Sequence, residues 1–164
     1  MVREIRLLGD PILREPAQPV QEITPELRTL IDDMFETMYA EDGVGLAAPQ
    51  IGVGNRIIVV DPRLDGVEPF ALVNPVIVEK SRETEKGEEG CLSIPGLKDI
   101  VERSTDVVVE GLNADGAQVR MAAEGLLARV LQHEVDHLDG VLFIDRVSPI
   151  KRRMLLEKWR KVRP

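Results

Sequence analysis

At 164 residues, 43% hydrophobic and 30% charged, the chain has the size and balance of one soluble globular domain, taken as residues 1–164. A net charge of −8 with 3% aromatic residues excludes a bulk surface for DNA or a stacking platform for single-stranded nucleic acid. A single cysteine, Cys91, excludes an internal disulfide framework and fits a reducing compartment.

The first residues, Met1 to Pro11, carry charges where a secretory signal needs an apolar run, and no stretch has the length of a membrane span. The expected location is the cytoplasm. Residues 10–25 hold Pro11, Pro16, Pro19 and Pro25 and read as an extended surface segment. Thr24 as N-cap and Pro25 at the first helical position then start a helix. Its apolar residues, Leu27, Leu30, Ile31, Met34, Phe35 and Met38, keep helical spacing, and Gly43 is expected to end it. A glycine-rich loop follows over 43–54. Ile57-Ile58-Val59-Val60 reads as a buried strand. Phe70–Val73 and Val76–Val78 read as two strands separated by Asn74-Pro75, and Val107–Glu110 with Gln118–Met121 as a hairpin around Asn113–Gly116. A helix is expected from about Ala123 to Leu138, with Leu127, Val130, Leu131 and Val135 as its stripe and Gly140 beyond its end. A last helix, about 149–162, is capped by Ser148-Pro149. Strands lying between helices give an α+β class: mixed, mainly antiparallel strands around a central metal-binding helix, with an N-terminal and a C-terminal helix.

Both histidines of the chain fall in His133-Glu134-Val135-Asp136-His137. Positions i and i+4 share one helix face, so two imidazoles can close on one metal ion, with Glu134 beside them as a general base. A catalytic site wants a third protein ligand and an open position. The extended metalloprotease pattern would need a histidine where Phe143 stands, and no third histidine exists. Glu157 and Cys91 stay open as the third ligand. Glu157 lies in a basic helix where an ion pair is the simpler role, and an endopeptidase would use it. A Cys91 thiolate is a strong ligand for zinc or ferrous iron. A structural or redox-sensing metal module is the alternative outside enzymes, and Glu134 speaks against it.

Three segments together resemble the motifs of the peptide deformylase family, in order and spacing: Gly43-Val44-Gly45-Leu46-Ala47-Ala48-Pro49-Gln50, Glu89-Gly90-Cys91-Leu92-Ser93 and Gln132-His133-Glu134-Val135-Asp136-His137-Leu138. The resemblance implies removal of the formyl group from the N-terminal formylmethionine of nascent polypeptides. It implies Cys91, His133 and His137 as ligands of one divalent metal, Fe(II) by expectation, with zinc, nickel or cobalt as substitutes. It implies Glu134 as the acid–base group, and Gln50 with the Leu92 N–H as oxyanion donors. Val44, Gly45, Gly90, Leu126, Arg129 and Val130 are implied as the substrate pocket, bordered by His133. Arg129 departs from the apolar residue expected there, and its stem is expected to cover the pocket while its charge reaches water. Lys98 stands where many relatives have an arginine against the substrate backbone, and lysine lacks the planar fork. The last fourteen residues carry +6, leaving −14 on the rest. In some relatives this helix docks on ribosomal RNA, which makes Lys151, Arg152, Arg153, Lys158, Arg160, Lys161 and Arg163 the expected contacts with the ribosome. Neither DNA nor a membrane is an expected partner.

Overall fold

The structure, a computed structural model, describes all 164 residues. Helix α1 spans Pro25–Ala40, and the Thr24 hydroxyl accepts from the Leu27 N–H at 3.2 Å, the cap its sequence predicts. The helix stops before Gly43 because Asp42 takes the left-handed turn at φ 56°. Strands β1 (Gly45–Ala47), β2 (Ile57–Val60) and β3 (Phe70–Lys80) follow, then β4 (Thr84–Gly90), β5 (Lys98–Ser104), β6 (Asp106–Leu112) and β7 (Gln118–Glu124). Helices α2 (Gly125–Leu138) and α3 (Pro149–Val162) complete the chain. The class is α+β. Every paired strand is antiparallel: one sheet in the order β1-β2-β3-β6-β7 and a separate hairpin, β4-β5. The mixed character expected of the strands shrinks to one isolated parallel bridge, Gln18 with Asn55.

Several elements depart from expectation for physical reasons, the first being β1, which forms inside the expected glycine-rich loop 43–54 because Gly45, Leu46 and Ala47 pair with Val60, Val59 and Ile58 of β2. The two short strands around Asn74-Pro75 are one strand, β3, continuous through a β-bulge at Val73/Val76. Asn74, at φ 52°, turns its side chain outward, where it accepts from the Val20 N–H at 2.8 Å and donates to the Val20 carbonyl at 2.9 Å. The bulge thus ties down the proline-rich N-terminal segment. Helix α2 begins at Gly125 rather than Ala123, because Ala123 and Glu124 still pair with Val107 and Asp106 in the sheet. The hairpin β4-β5 has no apolar strand pattern in the sequence. Its buried residues are Glu89, Val101 and Arg103, so its inner side is ionic and shows no apolar alternation.

One core lies between the large sheet and α2, built from residues such as Ile58, Val60, Leu72, Val109, Leu131 and Leu138. A second packs α1 on the opposite side through Leu30, Ile31, Met34 and Met38. A third gathers Ile94, Leu97, Val101, Phe143, Leu155 and Trp159 beneath α3. Only Leu155 and Trp159 of α3 are buried, which leaves its basic side chains at the surface. No helix is long and apolar enough to cross a membrane.

Candidate active site

Helix α2 presents His133 and His137 one turn apart, with ring centroids 5.0 Å from each other. The turn after β4 brings Cys91 to them, its Sγ 3.4 Å from His137 Nε2. One donor atom from each of Cys91, His133 and His137 lies within 4.8 Å of the other two. His133 uses its Nδ1 on Glu89 Oε1 at 2.9 Å, which leaves Nε2 for the cluster. A carboxylate on the far nitrogen orients a ligating imidazole and raises its basicity. The donor set, one sulfur and two imidazole nitrogens, fits zinc or ferrous iron. Burial disfavours charge on His133, yet Cys91, Glu134 and Glu89 outweigh it and push its pKa up, whereas burial and His133 push His137 down. Phe143, which excludes the extended protease pattern, is buried and stacks near His133 at 6.5 Å between centroids. Glu157 is exposed on α3 and takes no part in the cluster.

Glu134 is buried beside the cluster, its Oε2 4.0 Å from His133 Nε2 and its Oε1 without a partner. Burial pushes its carboxyl up to about 7, with His133 acting the other way. Such a group can take and return a proton near neutrality. Gly45 is required here, since a Cβ at that position would stand 2.6 Å from Glu134 Oε2. Gln50 is fully covered, and its orientation is fixed from both ends. Its Oε1 accepts from the Ala47 N–H at 2.9 Å; its Nε2 faces Ser93 Oγ at 3.1 Å and Cys91 Sγ at 3.6 Å. The Leu92 N–H makes no backbone hydrogen bond within the chain. A cleft of about 370 Å³ opens above these groups. Val44, Gly45, Gly90, Leu126, Arg129 and Val130 border it, together with Gln50, Cys91, Leu92, His133 and Glu134. His137 lies beneath, almost fully buried.

Arg129 does not reach water as expected. Only 13% of its side chain is exposed, and its guanidinium bonds Glu89 and two carbonyls of the hairpin. Lys98 does project from the rim, 4.0 Å from Glu88. Sequence reasoning missed the charges that hold the cluster. Arg103 forks onto Glu89 with two 2.9 Å bonds and reaches Asp136 at 2.6 Å, and Arg146 holds the other Asp136 oxygen at 2.8 Å. Burial opposes the Glu89 charge, but Arg103 and His133 hold its carboxyl well below the usual range. Glu89 and Asp136 lie inside the quoted motifs, and that position was the one available signal.

A structural metal site closes on four protein ligands and has no use for an unpaired carboxylate beside it. This site has three donors, an open cleft and Glu134, which sets the chain among metal-dependent hydrolases. The family model described as Polypeptide deformylase matches residues 2–153. A peptide deformylase of Halothermothrix orenii is 53% identical over 154 residues, covering 94% of this chain and 99% of the relative. The crystal structure of a peptide deformylase from Legionella pneumophila has a TM-score of 0.92 at 48% identity, covering 98% of this chain and 95% of that one. One from Synechococcus elongatus, in complex with actinonin, has a TM-score of 0.90 at 45% identity, covering 95% and 86%. The chain belongs to the polypeptide deformylase family.

Proposed function

We propose that the chain, acting as one catalytic unit over residues 1–164, hydrolyses the formyl group from the N-terminal formylmethionine of nascent polypeptides in the cytoplasm. The observation that carries the reading is the convergence of one sulfur and two imidazole donors within 4.8 Å at the floor of a cleft bordered by Glu134 and Gln50. Cys91, His133 and His137 hold one divalent metal, Fe(II) in this reading, which when bound supplies Lewis-acid activation of a water and charge stabilisation. Glu134 takes the proton that water loses and delivers it to the departing amine. The oxyanion that develops on the formyl carbonyl is met by Gln50 Nε2 and the Leu92 N–H. Both donors are set before substrate arrives, since Gln50 is locked by Ala47 and Ser93 and the Leu92 N–H has no competing backbone acceptor.

A formyl carbon carries only hydrogen, so the space at the cluster can be narrow, and Gly45 and Gly90 let backbone approach it. Val44, Val130, Leu126 and the stem of Arg129 offer apolar surface to the methionine side chain. The exposed cations of α3 support a contact with ribosomal phosphates; Arg153, Lys158, Arg160, Lys161 and Arg163 have no ion pair within the chain. That contact is given up if neutralising them leaves ribosome affinity and its salt dependence unchanged.

The decisive assay gives the anaerobic Fe(II) protein formyl-Met-Ala-Ser beside its acetylated analogue. Release of formate with the acetyl peptide untouched is expected. Equal cleavage of both, or of neither, would overturn the reading.

A further inference from the structure

Two separate elements build the donor cluster. Helix α2 supplies His133 and His137, and the β4-β5 hairpin supplies Glu89 and leads into Cys91. The large sheet does not include the hairpin, so its placement on α2 depends on side chains. Arg129 stands one turn before His133 and reaches across the junction at three points. Its Nη1 donates to Glu89 Oε2 at 2.7 Å and to the Val101 carbonyl at 2.9 Å, and its Nη2 donates to the Glu85 carbonyl at 2.8 Å. One planar group thus binds both strands of the hairpin and the carboxylate that orients His133.

Gly87 gives an independent sign that this seat is built for the guanidinium. It pairs with Val101 in the hairpin, and a Cβ there would lie 2.9 Å from Arg129 Cζ and 3.0 Å from its Nε and Nη2. The guanidinium therefore rests on bare backbone, at a strand position with no side chain to displace it. Lysine could meet one of the three acceptors, because a point charge on a flexible stem has no fork to spread over them.

We propose that Arg129 is a positioning residue for the metal cluster: it fixes the hairpin on α2, and so holds Glu89 against His133 and Cys91 against His137. The inference rests on the reading of Cys91, His133 and His137 as metal ligands. Its consequence is slow metal release, since groups behind the ligands typically change metal affinity by about 10–100-fold.

The test follows cobalt leaving the loaded full-length protein on addition of a chelator, read from the cobalt absorption bands, for wild type, R129L, R129K, G87A and C91A. Melting temperatures of the metal-free proteins are measured in parallel, and release is followed well below all of them. R129L is expected to release cobalt about 10–100-fold faster than wild type, with R129K between the two. G87A keeps the charge of Arg129 but pushes it off the strand, so faster release is expected there too. If R129L does not fold, R129K and G87A carry the test. Wild-type release rates in the Arg129 and Gly87 variants would overturn the inference, and so would lower melting temperatures with unchanged release, which leave only a structural clamp. A wild type that takes up no cobalt, or a C91A variant that retains it equally well, would instead overturn the metal reading and this inference with it.

Discussion

Replacing Arg103 with methionine is expected to cost the metal-free fold about 3 kcal/mol. Arg103 is 5% exposed, and its guanidinium lies between Glu89, also 5% exposed, and Asp136 at 13%. Methionine fills much of the same volume, so the loss is one of charge rather than of packing. Removing one partner of a buried ion pair costs about 3–5 kcal/mol, because the other charge stays buried without compensation. The lower end applies here, since Glu89 keeps Arg129 and His133 while Asp136 keeps Arg146. For a chain of this size about 3 kcal/mol corresponds to a melting temperature lower by roughly 6–12 °C. Urea unfolding of the metal-free protein measures it, with the midpoint falling and the slope unchanged. A loss under about 1 kcal/mol, as an exposed pair gives, would refute the argument that this network is desolvated and holds the hairpin to α2.

Glu134→Gln is expected to keep the bound metal and lose deformylation, seen as full metal content with formate release down by at least about 100-fold, the lower range of a lost acid–base group. Unchanged turnover would remove Glu134 from that role. Gly45→Ala is expected to lower the stability by about 1–3 kcal/mol through overpacking against Glu134 and Val130, and a wild-type denaturation midpoint would contradict it. Burial opposes the charge of Asp145, but hydrogen bonds from Arg14, the Leu142 N–H and Arg152 lower its pKa. That contribution is fully present above the unfolded value of about 3.9 and is lost as pH falls through the lower folded value. The stability gap between wild type and Asp145→Asn should therefore narrow as pH drops below about 4 in urea titrations, and a constant gap would contradict the linkage.

Legibility in the sequence followed the apolar pattern. Thr24-Pro25 and its stripe announced α1, Ile57–Val60 announced β2, and the spacing of His133 and His137 placed both imidazoles on one face of α2. The structure also brings Cys91 to them. What stayed hidden depends on polar pairing at long range, which has no period. Glu85, Glu88 and Glu89 look like solvated charges until Arg103 and Arg129, from elsewhere in the chain, turn Glu89 inward. Ordinary snorkelling puts the Arg129 charge in water, because nothing nearby in sequence tells of the hairpin carbonyls that receive it. Helix ends moved by a few residues where strand pairing or a left-handed aspartate took precedence over glycine.

The ionic lining of the β4-β5 hairpin has a calorimetric consequence. Of the strand residues it buries, Glu89, Val101 and Arg103, only Val101 is apolar. Heat capacity rises when hydrocarbon meets water and falls when polar groups do. Parting these strands from α2 would uncover mainly guanidinium and carboxylate, whereas parting α2 from the sheet would uncover Leu131, Val135 and Leu138. The strand faces that carry Glu89 and Arg103 thus part from α2 with little change in heat capacity, whereas the turn that carries Cys91, seated by Ile94 and Leu97, and the helix that carries the two histidines both bear the signature of buried hydrocarbon.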